Sequence, residues 1–436
     1  MANWSRPAII EELLIYDADA AGTIANESKI DLSGGFINFE YYESLFSPHI
    51  TAHLIYVDTG NSAKGSGDVQ ERIGEIFNSS TNFKGKKMDI RISHESLSTG
   101  LNLADYPLEV IAFNPLTSKD KVKSYLLFMA SEYATKNENT KVRKKYSNSI
   151  SNSVTTILTE ELEVPSDRIT VDNTKNSEAF EGMGERPFEL IRDLATRAAP
   201  DSGSAGYFFY EAVNGFNFRS IDKLLSQPNV GTGAYVYSDV GTFCNASNFR
   251  ILEYTPPKDG DLLTQLRGGA FKFKYETFDL SSLKYDVQYY KISDEIEPII
   301  GSDEIAEIYQ SSNTEEYGRT IFSVLDSGNH ESGITTAVNN DPKNWFSSKL
   351  RYTSLLFNSC EIVVPCNLNL KAGDVINCSF PKLTQDSAQG VSDEKISGKY
   401  LILHLSHKFT GDGQTGSTTH ITMVRDTNGM YSSSGE

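Results

Sequence analysis

The stretch Gly184–Leu225 (GERPFELIRDLATRAAPDSGSAGYFFYEAVNGFNFRSIDKLL) constrains the fold more than any other. Pro187 suits the first position of a helix, where a missing N–H costs nothing. Phe188, Ile191, Leu194 and Ala198 then recur at three- and four-residue steps, the pattern of an amphipathic helix. Pro200 and Gly203 stop it. Two aromatic runs follow, Tyr207–Glu211 and Phe216–Arg219, on either side of Val213-Asn214-Gly215. Asn-Gly is a strong hairpin signal, because both residues tolerate positive φ. The unit reads as helix, loop, aromatic hairpin. It holds no nucleophile–base pair and no cluster of ligating side chains, so its residues specify packing.

The chain around it has 436 residues, room for two to four domains. Aromatic residues make up 11%, with 23 Phe and 22 Tyr, a bias toward β-structure. The net charge of −18 argues against sequence-independent binding to nucleic acid or an anionic membrane. The four cysteines, Cys244, Cys360, Cys366 and Cys378, form no disulfide framework in a chain this long. Met1–Pro7 has one basic residue and Ile9–Ile15 is broken by Glu11 and Glu12, so no signal peptide is read. No apolar run approaches the roughly 20 residues of a membrane span. These features describe a soluble protein folded in a reducing cytoplasm.

Residues 1–145 read as short strands: Phe36–Tyr42, His49–Val57, Met88–Ser93, Leu108–Phe113 and a buried strand, Tyr125–Ala130. Val69, Ile73, Ile76 and Phe77 give one short helical face. Many strands without alternating helices predict an antiparallel barrel or sandwich. After the polar stretch Lys136–Tyr146 the period changes. Ile150, Val154, Ile157, Leu158 and Leu162 form a helical stripe, the start of a second region covering 146–260. Residues 261–436 return to strands, among them Phe271–Phe278, Glu361–Val364, Asp374–Phe380, Tyr400–Phe409 and Thr418–Val424. An acidic segment at about 293–345 interrupts them and reads as an insertion with a solvated face. Helical pieces are expected in it at Ser302–Tyr309 and Thr320–Leu325, and β-structure from Trp345 onward. The fold class is α+β, mainly β. Two β-rich ends flanking an α+β middle leave room for a diverged duplication.

Candidate chemical constellations give way to plainer readings. Cys360, Cys366 and Cys378 match no common zinc spacing and read as buried thiols. His404 and His407 lie three apart in one strand and face opposite sides. His49 and His53 also sit in a strand setting. Glu160-Glu161 and Glu185/Glu189 resemble a hydrolase carboxylate pair, but an acidic chain offers such pairs by chance. No G-x-S-x-G elbow and no phosphate loop is present. The basic cluster Lys141–Lys145 reads as a local ion-pairing surface. No catalytic, cofactor-binding or metal residue is assigned.

Several segments in order resemble one family, the baseplate central hub proteins of contractile-tailed phages, especially of the T-even type, with relatives at the base of type VI secretion spikes. PFELIRDLATRA followed by GYFFYEAVNGFNFRS resembles the helix–hairpin after the first barrel of those hubs. Tyr125–Leu162 resembles their last first-barrel strand, a basic polar link and the next helix. Gly268–Tyr290 is similar to the strand pair that opens their second barrel. NSCEIVVPCNLNLKAGDVINCSFPK and SGKYLILHLSHKFTGDGQTGSTTHITMVRD resemble the closing barrel strands. These patterns cover roughly half the chain, from Tyr125 to Asp426.

The resemblance implies two similar antiparallel β-barrels joined by α+β helix–hairpin segments. It implies a homotrimer whose six barrels make a pseudo-sixfold ring. Such a ring adapts a hexameric tail tube to a trimeric central spike and leaves a channel for DNA ejection. Implied partners are the tail tube protein, the central spike protein, and baseplate wedge and tape-measure proteins. DNA is met only in transit, with no cofactor and no membrane insertion. The protein would be made and assembled in the host bacterial cytoplasm and reside in the virion. An acidic lumen would repel DNA phosphates. Assembly candidates are Phe188, Ile191, Leu194, Phe209, Tyr210, Phe216, Phe218, Phe380 and Tyr400. The aromatic strands Phe36–Tyr42 and Tyr207–Tyr210 exceed the needs of one core, so some of their rings are expected between subunits. Two other readings stay open: a receptor- or carbohydrate-binding tail-tip protein, and a cell-wall-degrading tail enzyme.

Overall fold

The structure, a computed structural model, describes residues 9–17, 29–60, 63–64, 70–71, 86–93, 100–119, 122–202, 205–231, 233–237, 249–258, 272–280, 283–291, 320–325, 342–356, 358–382, 392–393, 396–411 and 417–425. It is mainly β. The helical face expected at Val69–Phe77, apart from Gln70–Glu71, and the helix expected at Ser302–Tyr309 lie outside these residues. So does most of the acidic segment 293–345.

Six long strands build the N-terminal unit: β1 (Ile9–Asp17), β2 (Phe36–Ser44), β3 (Thr51–Asp58), β4 (Lys86–Ser93), β5 (Leu108–Lys119) and β6 (Val122–Ser131). Side chains alternate along each, so Phe39, Tyr41, Leu54, Tyr56, Ile90 and Leu127 enter one core. The ladder runs β1–β4–β5–β6–β3–β2, antiparallel throughout. From the short strand Ile30–Asp31 on the free edge of β1, a 3-10 turn at Ser33–Gly35 leads into β2. The last strand of the ladder is thereby led back beside the first.

Strand β6 passes directly into α1 (Glu132–Asn139), where the sequence suggests only a polar link from Lys136. Tyr133 and Asn137, four residues apart, turn that helix inward. Next come α2 (Ile150–Thr156), its π-helical continuation Ile157–Glu161 and β7 (Ile169–Val171). The helical stripe is as read: Ile150, Val154, Ile157, Leu158 and Leu162 are all buried together. Helix α3 (Pro187–Arg197) does begin on Pro187. The side-chain oxygen of Asn137 accepts from the Phe188 N–H at 2.8 Å, so the earlier helix caps the later one.

The hairpin β8 (Tyr207–Ala212) and β9 (Gly215–Ser220) is in register from Tyr207↔Ser220 to Ala212↔Gly215 and leads into α4 (Ile221–Leu225). Its turn differs from the Asn-Gly pair the sequence suggests. Val213 and Asn214 are the central residues, and of the turn only Gly215 has positive φ, at 109°. A Cβ on Gly215 would stand 2.2 Å from the Arg168 carbonyl oxygen. The glycine is needed for that close approach, where β9 runs parallel to β7.

The C-terminal unit contains β10 (Tyr235–Tyr237), β11 (Phe249–Ile251) and β12 (Glu253–Lys258). A separate sheet holds β13 (Lys272–Asp279), β14 (Lys284–Lys291) and β15 (Thr320–Leu325). Helix α5 (Pro342–Leu355), β16 (Asn358–Pro365), β17 (Val375–Ser379), β18 (Gly398–Thr410) and β19 (Thr418–Arg425) complete it. Two expectations are corrected here. Thr320–Leu325 is a strand, because TIFSVL alternates and lies in parallel register on β13. The chain from Trp345 is helical to Leu355, because Ser348, Arg351 and Leu355 recur at helical spacing on a buried face. The unit is also not wholly antiparallel, since the short β10 runs parallel to both β11 and β17.

The two units share one connectivity. In the first, strand one pairs with four, four with five, five with six, six with three and three with two. In the second, with β11–β12 counted as one interrupted strand, the same pairs form: β10–β17, β17–β18, β18–β19, β19–β16 and β16–β12. Here β10–β11 supplies the remaining contact between strands one and two. Tyr235, Ile362, Ile376, Phe380, Tyr400 and Met423 fill this core. The units are joined by β2 and β18, which pair antiparallel from Asn38↔Thr410 to Ser44↔His404. Substituting Gly215→Ala is expected to destabilise the chain by about 2 kcal/mol or more, through left-handed strain and the clash with Arg168. Urea unfolding measures it, and an unchanged midpoint would contradict the role given to this glycine.

Candidate functional site

The polar groups with the most unusual surroundings lie where the hairpin meets the β2–β18 joint. Glu43, near the end of β2, is buried. Its Oε1 accepts from the Tyr41 hydroxyl at 2.7 Å and from the Val213 N–H at 2.7 Å. Its Oε2 accepts from the Ala372 N–H at 2.8 Å. One carboxylate thus holds the N-terminal sheet, the hairpin turn and the loop between β16 and β17. Glu211, on the hairpin, is equally buried and accepts from the Ile50 N–H at 3.1 Å. Both carboxylates satisfy backbone donors that would otherwise be orphaned.

Around them the same three parts interlock. The Asp374 carboxylate accepts from the Lys371 N–H at 3.0 Å, and Gln227 Nε2 donates to the Gly373 carbonyl at 3.1 Å. Gly373 has φ +87°, and a Cβ there would stand 2.3 Å from the Tyr210 hydroxyl. Asp172 gathers Arg219 Nε at 3.2 Å, the Ser220 N–H at 3.1 Å and Lys223 Nζ at 3.4 Å. Helix α5 is anchored by the fully buried Arg351, whose Nη2 donates to Asp222 at 2.9 Å. Tyr352 bonds both the N–H and the carbonyl of Tyr207. Arg168 Cζ lies over the Tyr106 ring, 3.4 Å from its centre.

The candidate residues divide between three cores. Phe188, Ile191, Leu194, Phe209, Phe216 and Phe218 share the core under α3. Tyr210 belongs to the core between the units, with Leu45, Phe208, Leu355, Leu403 and Val424. Phe380 and Tyr400 meet edge to face, ring centres 6.2 Å apart, inside the C-terminal unit. All are buried within one chain. This corrects the expectation for Tyr207–Tyr210: successive side chains point to opposite faces, so Tyr207 and Phe209 fill one core while Phe208 and Tyr210 fill the other. Phe39 and Tyr41 are likewise used inside the N-terminal core.

The constellations weighed from sequence have ordinary partners. Lys144 Nζ lies 3.0 Å from both Glu160 and Glu161. Glu189 pairs with Arg186, and Glu185 accepts from the Met183 N–H. Cys360, Cys366 and Cys378 are buried free thiols, and burial pushes the first two up to about 12. His407 is buried against Thr419 Oγ1 at 2.9 Å, which pushes it down to about 4, while His404 is exposed on the opposite face. Among the described residues no group of three or more His, Cys, Asp or Glu is placed to hold a metal, and no helix is long and apolar enough to cross a membrane. Sequence reasoning missed Glu43 and Glu211. Only an acidic residue among strand aromatics (FEYYES, FFYEA) marks them.

No family model and no curated protein matches the chain. Solved structures do match. The tail protein from Neisseria meningitidis MC58 superposes with a TM-score of 0.53 at 8% identity, over 95% of this chain and 96% of that one. The 43 kDa tail protein of prophage MuSo2 from Shewanella oneidensis gives 0.51 at 10% identity, over 95% and 98%. The chain has a phage tail-protein fold. With identities this low the likeness is one of fold, and it extends over nearly the full length of each protein.

Burial pushes Glu43 and Glu211 up to about 7 and Asp374 up to about 6, against the hydrogen bonds that oppose the shift. The sign follows from linkage. Between the ordinary carboxylate range and pH 7 the native state holds more protons than the unfolded chain, so stability falls as pH rises. His407, lowered in the native state, contributes oppositely from about pH 4 to 6.5. The difference between wild type and Glu43→Gln removes that contribution. Calorimetry from pH 5 to 7.5 is expected to show that the wild type loses more Tm over this range than the variant. Equal slopes would show that Glu43 does not titrate there.

Proposed function

We propose that the chain is a structural tail protein, the central hub of a contractile-tail baseplate. Its homotrimer would form a pseudo-sixfold ring that adapts a hexameric tail tube to a trimeric central spike and leaves a channel through which DNA is ejected. The observation that carries this reading is the repeated six-strand connectivity, with both copies set side by side on one continuous ladder. A chain that holds two like units supplies six from three copies. That is the geometry required where sixfold and threefold symmetries meet.

The tail-protein fold supports the reading. So does the use of the buried polar groups, which serve as links between parts of the chain. The helix–hairpin would set the angle between the units, and its aromatic residues would make that angle stiff. Tube protein, spike protein, and baseplate wedge and tape-measure proteins are the partners this role requires. The virion is its location, and non-enzymatic assembly is its work. The net charge of −18 would keep an unassembled part soluble and, if it faces the channel, discourage DNA from sticking.

Light scattering on the purified chain, with negative-stain imaging, tests the reading. The expected result is a trimer seen as a six-lobed ring with a central pore. A monomer at micromolar concentration, or a closed assembly without threefold symmetry, would overturn it. Polar substitution at Phe188, Ile191 or Phe209, for example Ile191→Asp, is expected to abolish the trimer. A soluble, fully trimeric Ile191→Asp variant would show that the hairpin module does not set the ring.

A further inference from the structure

The duplication makes a specific statement about one surface. In the C-terminal unit the fifth strand, β18, changes partner along its length. Gly398–Leu401 pair with β17, and His404–Thr410 pair with β2 of the other unit. Leu403, bulged out of the β19 ladder at the change-over, is buried, and its carbonyl accepts from the Leu45 N–H at 2.9 Å.

The fifth strand of the N-terminal unit is β5. Its first residues, Leu108 and Glu109, pair with β4, as the first residues of β18 pair with β17. Beyond Glu109, no described strand pairs with that edge. Strand β5 has a bulge at nearly the same place, at Ile111, and a second at Leu116. Where Leu403 is buried, Ile111 is 52% exposed and Leu116 49%. Residues 114–118 are exposed throughout. The partner of β18 is a second strand, β2. The second strand of the C-terminal unit ends in β12, which pairs with β16 on one side and with no described strand on the other. Each half of the internal joint therefore has a counterpart in the other unit with no partner among the described residues.

We infer that the distal half of β5 in one copy of this chain pairs antiparallel with β12 of the next copy, repeating between chains the β2–β18 joint made within one. The inference rests on the ring reading above and names the strands that close the ring. Antiparallel pairing runs the start of β12, at Glu253, against the end of β5. Ile111 and Leu116 would be covered by the neighbouring copy as Leu403 is covered by its own chain. Pro115 on one edge and Pro256-Pro257 on the other remove ladder donors. Edge prolines of this kind hold back indiscriminate pairing and leave a short, specific match. Three such joints between chains and three within them make six around the ring.

Carrying over the internal register places Thr255 within about a residue of Ser118. The test is a set of full-length double variants, Thr255→Cys combined in turn with Thr117→Cys, Ser118→Cys and Lys119→Cys, with each single variant as control. After mild oxidation, at least one double variant is expected to run as a covalent trimer on a non-reducing gel, while the single variants form none. Light scattering on the same samples separates the two claims. A trimer that never cross-links would overturn the strand assignment and leave the ring standing, whereas a monomer would overturn both. A second variant, Ile111→Lys with Leu116→Lys, changes only exposed side chains. It is expected to raise the concentration for half-assembly about tenfold or more with no change in Tm, and unchanged assembly would count against the joint.

Discussion

The structure depends on one buried carboxylate held by three separate pieces of chain. Charge is costly to bury, so a buried glutamate persists where donors surround it. Glu43 meets that condition only when β2, the hairpin turn and the loop before β17 are all in place. Its solvation therefore couples three regions far apart in sequence. An apolar residue at the same place would fill space but would not require the Val213 and Ala372 N–H groups to point at one spot. Glu211 repeats the device against Ile50 on the other side of the hairpin. Phe208 and Tyr210, on the face of β8 opposite Glu211, fill the apolar core between the units.

Much of this was legible from residues alone, and the exceptions have physical causes. The helix from Pro187 and the aromatic hairpin were readable because their signals are local: a proline at a helix start, a 3.6 period, a two-residue turn. The stripe from Ile150 to Leu162 was readable for the same reason. Thr320–Leu325 was misread because an acidic neighbourhood outweighed six alternating residues whose strand partner, β13, lies more than forty residues away. The helix at Pro342–Leu355 was missed because its buried face carries Ser348 and Arg351, polar residues satisfied only by tertiary partners such as Asp222. Glu43 and Glu211 could not be identified as junction groups, since a strand glutamate is ordinarily a solvated one. The repeated connectivity was hidden too. It resides in which strands pair, and the two units reach it with different loops: residues 59–85 extend one between its third and fourth strands, while 259–357 extend the other between its second and third.

Placing the large insertions at different positions has a consequence for how the fold tolerates them. The cost of loop closure grows slowly with length, so each unit accepts a long excursion between two of its strands. The sheet of β13, β14 and β15 is such an excursion, tied back by the fully buried Tyr275 against Trp345 of α5. The joint itself, β2 with β18, carries none within its strands.

That joint has a mechanical character. Two units linked through seven consecutive antiparallel residue pairs resist forces unequally according to direction. A pull that slides one unit lengthwise along the other strains every pair at once. A pull that peels them apart strains one end at a time, beginning either at Asn38 and Thr410 or at Ser44 and His404. Each end is extended by one more hydrogen bond, Gly411 N–H to the Ile37 carbonyl and Leu45 N–H to the Leu403 carbonyl, but the second end is also reinforced by Glu43, next to Ser44. Peeling should therefore start at Asn38, the end remote from the hairpin, and stop at the carboxylate. The buried glutamate thus fixes the end of the joint at which separation is hardest.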